Sequence, residues 1–346
     1  MKRKSLSKLA LLLAVPLALW AVIAERNSWR PKTIELPGVG VGGLTFSPDG
    51  RYLLATDVSH AAFSIDIVVC DVTTRKVAGT VEESDSPIFL EQGRSLAVFS
   101  SIRESSDRFT SVLSFPSLRL RKQYRSLDTS FKVAWPNDET LANQDIKGNL
   151  VLWNARSGAT EKISLPLPAP EKGYSYDVEF LPDNKTVMIT EVQPESNYSD
   201  HPLQFWDVAT KKRRFVANNK GLYLPAFTAS ANGICVKKNK VENGNLDIEH
   251  GNVEIWDYFT GQRKRVIEGD FYHEPCLSSD GTVLAIIIGD LEEPPIVSLW
   301  DTNTGQHLRD INCRGNGYGD PELTFSPDSR TVAYGNFSAV QLWRVK

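Results

Sequence analysis

The sequence predicts an all-β fold in which a four-stranded antiparallel unit is repeated seven times. Three observations lead there. A phrase in which an apolar strand runs into a tight turn recurs along the chain. A second phrase, ending another strand in Trp-Asp and a turn, recurs between copies of the first. The tryptophans of the second phrase keep a spacing near the length of one four-stranded unit.

The N-terminus stands outside the repeat. Lys2, Arg3, Lys4 and Lys8 precede an uninterrupted apolar stretch of 16 residues, Leu9–Ala24. A basic flank followed by an apolar core is the plan of an export signal, its basic end held in the cytosol. As a helix the stretch would reach ~24 Å, short of a ~30 Å bilayer core. Val22-Ile23-Ala24 puts small or tolerated residues where a signal peptidase reads, so a cleaved signal and an uncleaved anchor both fit; no cysteine is present for a lipid anchor. Either way the expectation is an exported chain: residues 1–24 a signal or anchor, 25–32 a short linker, and 33–346 the folded domain on the non-cytoplasmic side. Residues 1–24 hold four of the 39 basic residues and none of the 42 acidic ones, so without them the net charge moves from −3 to −7. A mildly acidic domain lacks the basic footprint that nucleic-acid binding requires.

The first phrase reads LTFSPDG at Leu44–Gly50 and LTFSPDS at Leu323–Ser329, with weaker copies at Val133–Glu139, Val178–Asn184, Phe227–Gly233 and Cys276–Gly281. Pro-Asp-Gly sets the backbone for a tight turn between antiparallel strands. The second reads LWNARSG (Leu152–Gly158), FWDVATK (Phe205–Lys211), IWDYFTG (Ile255–Gly261) and LWDTNTG (Leu299–Gly305). VCDVTTR (Val69–Arg75) has Cys70 at the tryptophan place, and the chain ends on LWRVK. The aromatic before the acid is expected to fill the wedge between neighbouring sheets. Trp153, Trp206, Trp256, Trp300 and Trp343 stand 53, 50, 44 and 43 residues apart, so the earlier units carry an enlarged loop. First strands are expected near 44–47, 86–90, 131–135, 176–180, 223–228, 274–278 and 322–325; in the second unit Ser114-Phe115-Pro116 replaces Trp-Asp. The last unit ends one strand short, while Thr33–Leu36 has no sheet of its own. Pairing the two removes two exposed edges.

From Thr33 to Lys346 these phrases resemble the WD-repeat β-propeller family. The resemblance implies a seven-bladed β-propeller of four-stranded antiparallel blades, closed by an N-terminal strand pairing with the last blade. The chain departs from the family pattern in lacking the Gly-His dipeptide that opens a repeat, and in carrying Lys147 and His250 where a structural aspartate is usual. Its units should therefore rely more on apolar packing than on a buried His/Asp network.

In an antiparallel four-stranded unit, loops joining strands 2–3 and 4–1 leave one end, and loops 1–2 and 3–4 leave the other. The long connections Glu191–Pro202, Lys237–Gly251 and Gly289–Pro295 all fall at the first end. Variable loops on a rigid scaffold are where binding usually sits. Acids gather there (Glu82, Glu83, Asp85, Glu195, Asp200, Asp247, Glu249, Asp290, Glu292 and Glu293), which suits a cationic partner or a cation, and the expected partner-binding face is Glu195, Asp200, His201, Asp247, Glu249, Asp290, Glu292 and Glu293. The plainer alternative is a solvated surface. His60, His201, His250 and His273 map to the same end but come from four different units, without HxH or HExxH spacing, so no metal site is expected. The basic runs Lys211–Arg214 and Arg263–Arg265 fall on outer strands, where charge guards an edge. Cys70, Cys235, Cys276 and Cys313 are expected to be buried free thiols: Cys276 and Cys313 sit on strands roughly 14 Å apart, beyond disulfide reach.

No nucleophile elbow, phosphate-binding glycine loop or metal motif is present, so no cofactor is expected. Asp301–Gln306 faintly resembles the docking repeat of quinone-dependent dehydrogenase propellers, which are eight-bladed. Besides a structural envelope component held by its N-terminal helix, two functions compete. One is a non-enzymatic protein-binding or scaffold propeller; the other is a lactonase-like or quinoprotein-like enzyme with a polar site at a central channel.

Overall fold

The computed structural model describes residues 30–58, 65–101, 108–125, 133–134, 140–144, 149–167, 175–181, 183, 185–192, 198–199, 202–217, 222–230, 233–242, 245–271, 273–288, 294–314 and 322–345. They form antiparallel strands in six sheets, four of them simple four-stranded meanders. The six-stranded sheet joins the two ends of the chain. Its strand Lys32–Phe46 pairs Thr33 with Gln341 and Ile34 with Val340, bends between Glu35 and Gly40, and then pairs Leu44 with Ala55. The N-terminal strand thus lies against the C-terminal one, as the unpartnered Thr33–Leu36 requires. Residues 1–29, including the apolar stretch Leu9–Ala24, lie outside the described residues; among the latter no helix is long and apolar enough to cross a membrane.

Both recurring phrases are turn devices. In the first, the Ser47 hydroxyl donates to Asp49 Oδ1 at 2.6 Å and accepts the Tyr52 N–H at 2.9 Å, while Gly50 takes a left-handed φ of 70°. Ser278-Asp280 and Ser326-Asp328 repeat the arrangement, with Ser329 left-handed where glycine stands elsewhere. In the second, the acid after tryptophan caps the turn between third and fourth strands. Asp207 and Asp301 each accept the backbone N–H and the hydroxyl of the threonine three residues on. Asn154 plays the same part with Ser157. Behind the cap a further bond recurs: the N–H of the next residue reaches the residue before the second strand, as in Val72→Arg51, Phe115→Arg94, Val208→Lys185, Thr302→Thr282 and Val345→Arg330. Phe115 therefore occupies in its sheet the place of Val72 and Val208.

The tryptophans pack on the preceding sheet. Trp153 meets Tyr124 edge-on at 4.8 Å, and Trp300 meets Phe271 at 6.0 Å. Where Cys70 replaces tryptophan, Ile34, Leu36, Val340 and Leu342 fill the space instead. Cys70, Cys276 and Cys313 are buried; burial pushes the Cys70 thiol up to about 11 and that of Cys313 up to about 12. The side chain of Cys235 lies outside the described residues.

Two outcomes follow. Ile34 is fully buried in the contact between the terminal strands, so Ile34→Ala should cost about 2–5 kcal/mol in urea unfolding; an unchanged midpoint would show that this strand adds nothing. The Asp207 and Asp301 carboxyls lie below the usual carboxylate range, held there first by the backbone N–H groups of Thr210 and Thr304. A depressed folded value means the stabilisation is full above about pH 4 and is lost as the pH falls through the folded value. Asp301→Ala should accordingly be less stable than wild type at pH 7, with the gap closing below about pH 4; a pH-independent gap would contradict the role of the charge.

Candidate functional site

The eight residues expected at the partner-binding face fall where little of the side-chain arrangement is described. Glu195, Asp200, His201, Asp290, Glu292 and Glu293 lie outside the described residues, as does His60. Asp247 and Glu249 lie on the described strand Asn245–Asp257, with backbone placement only.

The backbone around them corrects one expectation. Lys237–Gly251 is expected as a loop, but most of it continues the ladder: strands Gly233–Glu242 and Asn245–Asp257 pair to their tips, Lys240 opposite Asp247, Val241 opposite Leu246 and Glu242 opposite Asn245. The flanking strands stop earlier, at the pairs Leu222–Lys238 and Gly251–Phe271. The tip is therefore a two-stranded arm standing beyond its own sheet. Its partner register jumps from Gly251 to Asp247 between Asn239 and Lys240, which leaves Ile248, Glu249 and His250 in a bulge at the base of the arm. β-branched Val241 suits the extended backbone of the ribbon. The Glu191–Pro202 connection likewise contributes a strand: Tyr198 and Ser199 pair with Tyr223 and Leu222, adding a fifth strand to the edge of the sheet that bears the arm.

The basic runs do more than guard edges. Arg214 binds Asp183 and the Thr186 hydroxyl, Arg263 binds the buried Glu254 at 2.6 Å, and Lys264 binds Asp257 at 3.1 Å. Arg265 donates to the Asn303 carbonyl in the turn of the next sheet at 2.7 Å. Sequence alone marks these residues as basic and outer-strand; only the register reveals the acid or carbonyl opposite each.

At the other end of the sheets, where the turns are short, lies a cavity of about 350 Å³ lined by Leu90, Glu91, Val112, Arg121, Lys122, Ala155 and Arg156, with Ser95. It separates the sheet of strands Asp85–Leu90 to Arg119–Arg125 from that of strands Val133–Ala134 to Thr160–Ile163. Its floor is apolar, continuous with the core of Leu90, Ala97, Val112, Trp153 and Ala155. Glu91 accepts hydrogen bonds from the Ser95 hydroxyl and Arg121, each at 2.7 Å; these two hold its carboxyl below the ordinary range, so it is ionised at neutral pH. Arg156 Nη2 lies 3.8 Å from the other Glu91 oxygen, and the Lys122 ammonium donates to the Arg156 carbonyl. Glu91, Gln92 and Gly93 are all left-handed, at φ of 52°, 55° and 84°. For two non-glycine residues in succession that is a strained turn. No repeat motif announces this site, because it sits where LEQG replaces the usual SPDG.

Among the described residues no group of three His, Cys, Asp or Glu side chains could hold a metal ion. His307 pairs with Asp310 at 2.8 Å on an exposed outer strand.

No protein-family model and no curated protein matches the chain. Among solved structures, Kuenenia stuttgartiensis hydrazine synthase is similar at 17% identity and a TM-score of 0.63, over 90% of this chain and 96% of that one. The Cps50 (Swd1) β-propeller domain of Myceliophteria thermophila is similar at 12% identity and a TM-score of 0.63, over 91% of this chain and 99% of the domain. At such identities the likeness is one of fold alone, and the fold of this chain is that of a β-propeller.

Proposed function

We propose that this chain is an exported, non-enzymatic scaffold propeller of the WD-repeat type, which binds a protein partner through the end bearing the long connections. In this reading it has seven four-stranded blades. The six-stranded sheet counts as two, divided at the bend after Glu35 and at Ser338, whose left-handed φ of 75° lies where the strand Thr331–Arg344 doubles back. Support for a ring comes from the buried clusters, each of which joins one sheet to the next; that of Ile34, Val68, Cys70, Ala333 and Val340 joins the first blade to the last. Export rests on the basic flank and apolar stretch of residues 1–24.

The observation that carries the binding reading is the arm. Three residue pairs, Lys240–Asp247 to Glu242–Asn245, project past the sheet, beside a strand that the neighbouring connection contributes at Tyr198–Ser199. A ribbon held by its own ladder presents a surface that loses little conformational freedom on docking. The acids expected around it suit a basic partner, and attraction of that kind weakens as the Debye length falls from ~10 Å at 0.1 M salt to ~3 Å at 1 M.

Partner capture from the native envelope fraction, followed by association kinetics, tests this. Glu292→Lys with Glu293→Lys should slow association roughly tenfold at low salt and leave the melting temperature unchanged. Lys211→Ala with Lys212→Ala, at the opposite end, should leave binding intact. Loss of binding in the second pair and not in the first would assign the partner to the wrong end.

A further inference from the structure

We infer that the edge of the arm at Asn239–Glu242 is a self-association site: two copies of this chain pair there, antiparallel, about a two-fold axis through Val241. This goes beyond the reading above and stands without it, since the occupant is a second copy rather than a different protein.

The register leaves this edge open. Strand Gly233–Glu242 lies between Leu222–Ser230 and Asn245–Asp257 in its sheet. Pairing with the first ends at Leu222–Lys238, while pairing with the second runs on to Glu242–Asn245. Among the described residues, Asn239–Glu242 therefore has a strand on one side alone. Glu242 and Asn245 are only two residues apart from direct succession, with Asn-Gly between them in the sequence. That spacing makes them the hydrogen-bonded pair that closes a hairpin. Antiparallel pairs alternate between hydrogen-bonded and non-hydrogen-bonded. Val241–Leu246 is then a non-hydrogen-bonded pair, and the Val241 N–H and C=O point out of the arm to the open edge. A row of such groups is ready to pair with another strand.

The sequence of the edge selects its own copy, in one register. Read about Val241, the segment Lys240-Val241-Glu242 is self-complementary. In an antiparallel pair centred there, Val241 falls opposite Val241 of the second copy, and Lys240 of each copy falls opposite Glu242 of the other. A two-fold contact demands this reciprocity. Val241 is also the residue whose outward groups suit the centre, each copy's N–H donating to the other's C=O. Opposite charges directly across an antiparallel pair stabilise it, and like charges oppose it. Moving the centre by one residue sets Lys240 opposite Lys240, or Glu242 opposite Glu242. The apolar residues agree with the charged ones. Residues directly opposite share a face of the ribbon, so Val241 and Leu246 belong to one face, while Lys240, Glu242, Asn245 and Asp247 belong to the other. Two joined arms then form a four-stranded sheet with Leu246, Val241, Val241 and Leu246 in one row. Because the arm stands beyond its own sheet, the bodies of the two copies lie at opposite ends of this ribbon.

Cysteine cross-linking of the purified full chain, with no partner present, tests the register. Cα atoms of the central pair would stand about 5.5 Å apart and those of the flanking pairs about 4.5 Å, both within disulfide reach. Under mild oxidation Val241→Cys should give a disulfide-linked dimer. Lys240→Cys mixed with Glu242→Cys should give the mixed dimer. Either of these alone places its cysteine about 8 Å from its equivalent, beyond the ~7 Å limit, and should yield roughly tenfold less. Wild type controls for the four native cysteines. The contact is small, so the chain without added cysteines should dimerise in sedimentation with Kd on the order of 0.1 mM. Lys240→Glu should weaken this at least about fivefold. Adding Glu242→Lys, which exchanges the two charges, should restore it, and melting temperatures should stay unchanged throughout. Absence of a Val241→Cys dimer, equal cross-linking at all three positions, or self-association indifferent to Lys240→Glu would each overturn the inference.

Discussion

Each sheet of this protein is apolar on both faces, so none is stable without a neighbour on either side. The strand Tyr52–Asp57 makes the constraint explicit. Leu53 and Ala55 enter one buried cluster with Val340 and Leu342, while Tyr52 and Leu54 enter another with Leu96, Val98 and Leu113. Val283–Ile288 divides in the same way, with Ala285 and Ile287 against Val332 and Tyr334, and Leu284 and Ile286 against Val253 and Ile267. Successive side chains of a strand point to opposite faces, so a strand buried on both must read as a nearly continuous apolar run. Among the described residues, outer strands such as Arg119–Arg125 are exposed almost throughout. Stability of this kind resides in the contacts between sheets, as it does in other repeat architectures.

The wedge between sheets widens outward, and two columns of side chains fill it. One is the tryptophan column, whose members lie on the preceding sheet. The other is the residue after the capping acid, which varies in size from Ala155 to Tyr258. That variation is tolerated because partners adjust. Under Gly261, whose added Cβ would come within 2.4 Å of the ring, Phe215 lies stacked on Phe205 at 4.2 Å. Beside Ala155 the space stays open, although Tyr124 donates a hydrogen bond to the Ala155 carbonyl. Outer-strand groups reaching the next sheet's turn, here Tyr124 and elsewhere Arg265, lock the sheets at the rim where packing is thinnest.

What could be read from the sequence is what repeats. Ser-Pro-Asp-Gly and Trp-Asp-x-x-Thr-Gly are turn chemistry, and each copy sits where a first or a third strand ends. The pairing of Thr33–Leu36 with the last strands was legible too, because an unpartnered strand and an incomplete unit imply each other. What did not repeat was not legible. The arm, Lys240–Asp247, falls within Lys237–Gly251, which reads as a polar loop because Val241 and Leu246 are too few and too far apart to set a strand period. The Tyr198–Ser199 strand is two residues long, too short for any period. The left-handed turn at Glu91–Gly93 has one glycine, and nothing in Leu-Glu-Gln-Gly marks the two residues before it. Of the site residues expected, Asp247 and Glu249 lie on the arm and at its base, and the cavity was missed entirely, because it consists of what Ala155 lacks.

The two ends of the sheets therefore differ in the kind of change they can accept. At the long-connection end, chain can be added: ends of the ladder are free to grow, as the pairs from Lys240–Asp247 to Glu242–Asn245 have grown, without disturbing a buried contact. At the short-turn end every length is constrained. The serine hydroxyls, the capping acids and bonds such as Val208 to Lys185 tie each turn to its strands, so an insertion there would break several hydrogen bonds at once. Only substitution is open at that end. Ala155 with Arg156 is a change of that kind: a small residue and a charged one stand where Val208 and Ala209 stand in the next repeat, and the wedge stays open beside the first.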